Sequence, residues 1–273
     1  MVFNFNNYRH RCPLRVLRSF IAKIKNISAN DVISRANELK FSSNEIAQLE
    51  NFVSRYESHE PVSKILNKRA FWTSEFFVDK NVLDPRPETE IIVEQALKIF
   101  ERNESFEFLD IGTGSGCILL SIAKEFPKSF GVGIDISEKA VAVAIKNKSD
   151  LDVKNVEIRN VGWDDFIPQQ KFDLIVSNPP YIKSMDISDL DDNVKIFDPH
   201  IALDGGKNGL MAYEQLSVLM KNWIKPNGKI LLEIGFDQCD AVKNIFESEN
   251  FILENICHDF QQIPRILQFK PRL

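Results

Sequence analysis

Four consecutive residues, Asn178-Pro179-Pro180-Tyr181, suit the recognition of a flat NH2 group. Successive prolines cannot continue a central strand, so the backbone has to leave a sheet here with its carbonyl oxygens unpaired. The Asn178 side-chain oxygen and the Pro179 carbonyl then offer two acceptors for the two N–H donors of an amide or an exocyclic amine. Tyr181 supplies a face for stacking. The motif predicts that Asn178, Pro179 and Tyr181 are catalytic and that all four residues bind substrate.

A second motif, Gly112-Thr113-Gly114-Ser115-Gly116, lies between an apolar run and a segment with helical character. Glycine is needed where a Cβ would block close approach of the backbone to a ligand. The third glycine of a dinucleotide fingerprint is absent, since its place falls on Cys117 or Leu119, and no Lys-Ser or Lys-Thr pair of a phosphate-binding loop follows. The motif therefore predicts a nucleotide-like cofactor without phosphates, bound by residues 112–116.

Four further side chains are candidates for the cofactor site. Asp135 ends the next apolar run, where an acid about 20 residues on can accept from both ribose hydroxyls. Trp163 and Asp164 follow the third run, where an aromatic ring stacks on adenine and an acid accepts from its amino group. A Trp163 that only caps the sheet edge is the alternative. Asp110, just before the glycines, either bridges loop amides or touches the ligand.

Together the two motifs predict methyl transfer to nitrogen. An amide nitrogen is a poor nucleophile, but two acceptors can turn it toward the sulfonium methyl of S-adenosylmethionine and strengthen their bonds in the transition state. In-line placement supplies further acceleration. This chemistry needs no metal and no strongly basic side chain, and S-adenosylhomocysteine is the expected product. The four histidines are scattered along the chain, at His10, His59, His200 and His258.

The elements that must position these residues are short apolar runs that alternate with amphipathic segments. Seven runs read as strands, at 106–112, 130–135, 156–160, 172–177, 229–235, 251–257 and 265–269. Four segments read as helices, at 117–126, 138–146, 209–223 and 241–247. Strands that alternate with crossover helices require a mostly parallel, doubly wound sheet. Residues 87–273 are thus predicted to form an α/β, class I (Rossmann-like) S-adenosylmethionine methyltransferase domain with seven strands.

The preceding residues differ in pattern, with apolar positions at helical spacing. Candidate caps are Ser28 or Asn30 before one segment and Ser42, followed by Glu45, before another. Residues 1–70 are therefore expected to form a small helical domain.

The stretch between these two parts reads as a connector. Residues 71–83 alternate aromatic and polar side chains, with a turn signal at 79–81. We therefore expect a hairpin within a linker of residues 71–86.

Charge and cysteine usage narrow the class of protein. The chain has 273 residues, a net charge of -5 and a pI of about 5.5, which argues against a long nucleic acid as the main partner. Four unpaired cysteines fit a reducing compartment. No membrane span or signal-peptide core is evident. A cytoplasmic monomer is expected; the basic start, with no acid before Asp31, allows a mitochondrial or plastid transit peptide instead.

From about Glu60 onward the chain resembles the HemK/PrmC family of protein-(glutamine) methyltransferases. The matching blocks are EPVSKILNKRAFW, VLDPRPETE, FLDIGTGSGCILLSIA, FDLIVSNPPYI, ALDGGKNGL and LLEIGFDQ. Residues 178–181, here called the tetrad, and the glycine loop of residues 112–116 also occur in enzymes that methylate amino groups of DNA and RNA. The run Pro85-Arg86-Pro87-Glu88-Thr89-Glu90 is characteristic of the HemK/PrmC family.

The resemblance implies methylation of the glutamine in the Gly-Gly-Gln tip of a peptide chain release factor. It implies that residues 112–116, Asp135 and Trp163 bind S-adenosylmethionine, that Asn178 touches both cofactor and glutamine, and that residues 179–181 form the substrate pocket. The helical N-terminal domain would grip the release factor. The PRPETE run would lie near the active site; a rigid helix start, with Pro87 in its first turn, is the alternative.

The chain departs from the family pattern at several positions. The family commonly has Glu-Pro at Asp198-Pro199, Tyr at Lys64, an apolar residue at Asp84 and an acid near Lys207. Two competing functions remain, an amino methyltransferase of RNA or DNA and an inactive binding module. The first predicts a basic face around the pocket, and the second predicts damage to the glycine loop or tetrad, which the sequence does not show.

Overall fold

Four helices make up the part of the helical region that the structure describes. The computed structural model describes residues 7–36 and 38–272, so the first six residues of the predicted helical domain lie outside it. The helices are α1 Leu14–Lys25, α2 Ala29–Ser34, α3 Ser43–Glu57 and α4 Val62–Leu66. Ser28 and Ser42 each accept from the backbone N–H three residues on, and Asp31 and Glu45 return the bond. These capping boxes satisfy helix-end donors, and of the two candidates for α2 the cap is Ser28.

The core of this part comes from the apolar faces of α1 and α3. Leu17, Phe20 and Ile21 of α1 are fully buried, as are Leu49 and Val53 of α3. Two basic side chains bind acids of α3: Arg11, which precedes α1, pairs with Glu50 and Glu57, and Lys25 of α1 pairs with Glu45.

The connecting hairpin lies earlier than the alternation predicted. Strands β1 (Arg69–Phe71) and β2 (Ser74–Phe76) pair antiparallel, with the turn at Trp72 and Thr73. Phe71 and Phe76 are buried, and their rings pack edge to face with 6.0 Å between the centroids, which stabilises this register. The predicted turn at 79–81 is present, with the Val82 N–H donating to the Asp79 carbonyl oxygen at 3.4 Å, but it follows β2 and does not join the two strands. The predicted linker of residues 71–86 therefore contains only the second half of the hairpin.

The remaining chain forms the predicted α/β domain. Its strands are β3 Glu107–Ile111, β4 Phe130–Asp135, β5 Val156–Asn160, β6 Phe172–Ser177, β7 Ile224–Glu233, β8 Phe251–His258 and β9 Pro264–Pro271. Its helices are α5 Glu90–Ile99, α6 Cys117–Glu125, α7 Glu138–Asp150, α8 Asp192–Lys195, α9 Met211–Trp223 and α10 Cys239–Ser248. The sheet order is β5-β4-β3-β6-β7-β9-β8, with only β9 antiparallel to its neighbours. The mostly parallel seven-stranded sheet is confirmed.

This topology places the two chemical motifs side by side. Strand β3 lies between β4 and β6, both parallel to it, and Ile111 is in register with Ser177. The residues that follow, Gly112 and Asn178, therefore leave the sheet at the same edge. Strand β6 is buried on both faces, since Leu174 and Val176 enter one core and Ile175 enters the other. In such sheets ligands bind outside the carboxyl ends of the strands, where the strand order reverses.

Neither a membrane-spanning helix nor a cluster of metal ligands occurs within residues 7–36 and 38–272. No helix there is both long and apolar enough to cross a bilayer. No three His, Cys, Asp or Glu side chains converge there as a metal site would require. Cys12, Cys117 and Cys257 are buried free thiols, and Cys239 is half-buried.

Candidate active site

A cavity of about 250 Å³ opens at the carboxyl edge of the sheet, between β3, β4 and β6. Its walls come from five places: the loop before α5, the glycine turn, the ends of β4 and β5, the tetrad, and the segment before α9. The lining residues are Asn81, Val82, Leu83, Gly112, Gly114, Ile134, Asp135, Ile136, Ser137, Ala140, Val161, Gly162, Trp163, Asp164, Asn178, Pro180, Pro199, Ile201, Ala202, Asp204 and Met211. Both sequence motifs therefore contribute to one cavity.

The glycine turn is a left-handed segment that only glycine adopts without strain. Gly112, Gly114 and Gly116 have φ angles of 70°, 56° and 79°. Gly112 and Gly114 line the cavity. Thr113 and Ser115 are buried, and Gly116 begins α6 against Ala144. Of the five turn residues that were predicted to bind cofactor, two thus face the cavity and three build the turn.

Asp110 braces the glycine turn from inside the protein. Its Oδ2 accepts from the Thr113 hydroxyl at 2.7 Å and from the Leu119 backbone N–H at 3.2 Å. The side chain is fully buried, and burial raises its pKa to about 7. Asp110 is absent from the cavity wall. Of its two predicted roles, the structure shows the bridging of loop groups.

Asp135 connects the glycine turn to the end of β4 and also faces the cavity. Oδ2 accepts from the Gly114 backbone N–H at 2.9 Å, and Oδ1 accepts from the Ser137 backbone N–H at 2.8 Å. Burial raises the pKa of this carboxyl. Each carboxylate oxygen has two acceptor positions, so both retain one for a ligand hydroxyl.

Trp163 and Asp164 lie together on the cavity wall. The Trp163 indole N–H donates to the Gln215 side-chain oxygen at 3.0 Å, and its ring packs against the core beside α9. Trp163 therefore lies at the sheet edge and beside the cavity at the same time.

The tetrad begins immediately after β6, as predicted. Asn178 is half-buried and Pro180 lies beside it on the cavity wall. Asn178 Nδ2 donates to the Thr89 hydroxyl at 3.3 Å, and no group of residues 7–36 and 38–272 donates to the Pro179 carbonyl oxygen. Pro179 is buried and Tyr181 packs partly into the core, where burial raises its pKa. Neither residue is among those that line this cavity, but Tyr181 directly follows the wall residue Pro180 and is partly exposed, so its stacking role stays a prediction.

A glycine-rich segment before α9 packs against the backbone that follows the tetrad, and no sequence pattern predicted this role. A Cβ on Gly205 would lie 2.8 Å from the Pro180 oxygen, and one on Gly209 would lie 2.5 Å from the Tyr181 oxygen. Gly205 N–H donates to the Ile182 carbonyl at 2.8 Å. The block ALDGGKNGL had marked this segment through the family resemblance alone.

The departures from the family pattern at Lys64, Asp84 and Asp198 meet in one buried cluster. The Lys64 ammonium pairs with Asp198, and both side chains are 1% exposed. Asp198 also accepts from the Asp84 backbone N–H at 3.2 Å and from Arg86 at 2.9 Å. This cluster links α4 to the segment that continues through Pro199 into the cavity wall. Lys207, the fourth departure, is exposed.

Comparison with known proteins agrees with this geometry. A family model described as a methyltransferase domain matches residues 102–269, more than half of the chain. The release factor glutamine methyltransferase of Caulobacter vibrioides is 42% identical over 210 residues, which cover 77% of this chain and 73% of that protein. The chain belongs to the release factor glutamine methyltransferase family.

Other relatives of this family extend the match to the helical part. A bifunctional methyltransferase of Rickettsia typhi is 33% identical over 273 residues, which cover 93% of this chain and 52% of that protein. The chain thus spans about half the length of this bifunctional relative. Among solved structures, a methyltransferase from Pyrococcus furiosus has a TM-score of 0.56 at 18% identity, over 85% of this chain and all of that one, which supports the fold.

Proposed function

We propose that the protein transfers the methyl group of S-adenosylmethionine to the side-chain amide nitrogen of the glutamine in the Gly-Gly-Gln motif of peptide chain release factors. The observation that carries this proposal is the position of Asn178 in the same cavity as the glycine turn, in a chain 42% identical to a release factor glutamine methyltransferase. The transfer forms an N–C bond and breaks an S–C bond, which leaves S-adenosylhomocysteine.

The cavity fits a cofactor that has no phosphates. Gly112 and Gly114 would let its chain approach the turn closely, Asp135 would accept from the ribose hydroxyls, and Trp163 with Asp164 would contact the adenine. Residues 113, 115 and 116 would act by shaping the turn. Bound there, the cofactor supplies an electrophilic methyl group on a sulfonium.

The tetrad would prepare the amide nitrogen for attack. Asn178 Oδ1 and the Pro179 carbonyl, which both lack donors in the described chain, would accept from the two N–H groups of the glutamine. Positive charge that develops on the nitrogen strengthens both bonds, so these acceptors bind the transition state more tightly than the ground state. The amide then loses one proton to solvent. Pro180 and Tyr181 would shape the substrate pocket, with the Tyr181 ring as a face for stacking.

The helical part is proposed to recognise the release factor. Its last helix, α4, is tied through Lys64 and Asp198 to the segment that lines the cavity, so a partner bound to the helices would lie beside the active site. A monomer is sufficient for this arrangement, because every proposed contact comes from one chain. The second activity of the bifunctional relatives is not assigned to this chain.

Mass spectrometry tests the proposal directly. The protein is incubated with a purified release factor and labelled S-adenosylmethionine, with tRNA and duplex DNA in parallel reactions. We expect one methyl group on the Gly-Gly-Gln glutamine and none on a release factor whose glutamine is replaced by alanine. Label on another residue, or faster transfer to nucleic acid than to the release factor, would refute the substrate assignment.

A further inference from the structure

Two buried polar side chains lie directly behind Asn178. Thr89 is at the end of the PRPETE turn before α5, Glu233 is the last residue of β7, and each is 2% exposed. Asn178 Nδ2 donates to the Thr89 hydroxyl at 3.3 Å. A hydroxyl that accepts one hydrogen bond still has its own proton to donate. If Thr89 donates this proton to another group, its oxygen can only accept from the NH2 of Asn178. If it donates the proton to Asn178, it binds the amide oxygen instead.

Glu233 is the buried carboxylate beside Asn178, since the residues before them, Leu232 and Ser177, are in register in the neighbouring strands β7 and β6. Burial raises the pKa of Glu233 to about 7, and hydrogen bonding with the Thr89 side chain opposes that rise. Oε2 of Glu233 has no partner in the described part of the chain, and the nearby Tyr213 hydroxyl binds the Glu233 backbone carbonyl instead. The charged and titratable groups that influence this region are Arg86, Glu88, Tyr181, Tyr213 and Arg265. The two guanidinium groups bind other carboxylates, Asp198 and Asp259.

We infer that Glu233 and Thr89 are positioning residues that fix the orientation of the Asn178 side-chain amide. An ionised carboxylate can only accept, so Thr89 donates to Glu233 and can only accept from Asn178. This places the NH2 of Asn178 toward Thr89 and its oxygen toward the cavity. The two orientations of an amide have almost the same shape, so hydrogen bonding alone selects between them. The reversed orientation would present a donor to the NH2 of the substrate. This inference rests on the proposed function.

Substitutions at Thr89 distinguish a role in orienting the Asn178 amide from a role in maintaining the fold. Thr89→Val keeps the shape and removes the hydroxyl, whereas Thr89→Ser keeps the hydroxyl and is the matched control. With release factor and S-adenosylmethionine, we expect kcat to fall about 10- to 100-fold in Thr89→Val, a little less than the loss of a whole transition-state donor or acceptor. The KM for S-adenosylmethionine should stay unchanged, and Thr89→Ser should retain most of kcat.

A pH profile tests the role of Glu233. When protonated, Glu233 can itself donate to Thr89, which frees Thr89 to donate to Asn178 and reverse the amide. The wild-type kcat should therefore rise as the pH increases through about 7, where Glu233 ionises. Glu233→Gln, which removes a buried charge and should fold, is expected to have a lower kcat and no rise over this range.

The outcomes distinguish the two proposals. An active wild-type protein whose Thr89→Val and Thr89→Ser variants have equal kcat would overturn the orientation role, as would a Glu233→Gln variant with the wild-type rate and pH profile. A wild-type protein that transfers no methyl group to the release factor would overturn the proposed function itself. Thermal unfolding of every variant confirms that each comparison is made on folded protein.

Discussion

Asp110 and Asp135 lie near the ends of neighbouring strands, but their different environments give them different roles. Asp110 is fully buried and uses its accepting oxygen to hold Thr113 and Leu119. Asp135 holds the glycine turn as well, but also lies on the cavity wall. Sequence position alone left both as candidate ligands, because burial depends on what packs around each strand end.

Replacing Asp135 should weaken cofactor binding. Asp135→Ala removes a carboxylate that would accept from the ribose hydroxyls, and a lost charged hydrogen bond costs about 1 to 3 kcal/mol. Calorimetric titration with S-adenosylmethionine measures the change, with Asp165→Ala, an exposed acid outside the cavity wall, as the control. Because Asp135 also braces the turn, thermal unfolding is recorded alongside. Unchanged affinity would remove Asp135 from the ribose site.

Asp110 should make stability depend on pH. Its pKa is raised to about 7 in the folded protein, from about 3.9 in an unfolded chain, so its contribution to stability is complete below about pH 4 and is lost as the pH rises from there through 7. Asp110→Asn keeps an acceptor for Thr113 and Leu119 without the buried charge. We expect the variant to be more stable than the wild type at pH 8, by a few kcal/mol at most, with the difference shrinking as the pH falls and vanishing below about pH 4. Urea unfolding across this range checks the trend; a difference that does not change with pH would contradict it.

At the scale of elements, the bend after β6 depends on the segment that packs against it. Gly205→Ala would place a Cβ 2.8 Å from the Pro180 oxygen and the Tyr181 Cα, which are backbone atoms that cannot move aside cheaply. The tetrad should shift, and since a displacement of about 1 Å can cost 100-fold, kcat should fall at least tenfold. S-adenosylmethionine affinity should change little.

Kinetics with the release factor, together with calorimetry, measure the effect of Gly205→Ala. Lys207→Ala is the control, because this exposed side chain lies in the same segment. Equal kcat in the two variants would show that the Gly205 contact does not position the tetrad.

The sheet could be predicted because its strands are short apolar runs between helices and turns. The hairpin could not be placed, since aromatic and polar residues alternate on both sides of its turn and the contact of Phe71 with Phe76 is not evident from that alternation. The tetrad and glycine turn were recognisable because each is continuous in sequence. The contact of Thr89 with Asn178 joins residues 89 positions apart, and no local pattern encodes it.

At the scale of the whole molecule, a buried ion cluster joins the helical part to the cavity wall. Lys64→Met should destabilise the protein by about 3 to 5 kcal/mol, because it leaves the buried Asp198 without its main partner. Lys68→Met is the matched control, since Lys68 and Glu75 form an exposed pair worth about 0 to 1 kcal/mol. Urea unfolding of both variants gives the comparison, and equal losses would show that the cluster does not hold the two parts together.

Single-turnover transfer by Asn178→Ala tests most directly whether the tetrad activates the glutamine amide. With protein in excess of the release factor and saturated with S-adenosylmethionine, we expect the rate of methyl transfer to fall about 100- to 1,000-fold, the usual cost of one lost transition-state hydrogen bond. Cofactor affinity should stay close to the wild-type value, and Asn103→Ala, at an exposed position, should transfer at the wild-type rate. Transfer by Asn178→Ala at the wild-type rate would contradict the assignment of Asn178 as the acceptor for the substrate amide.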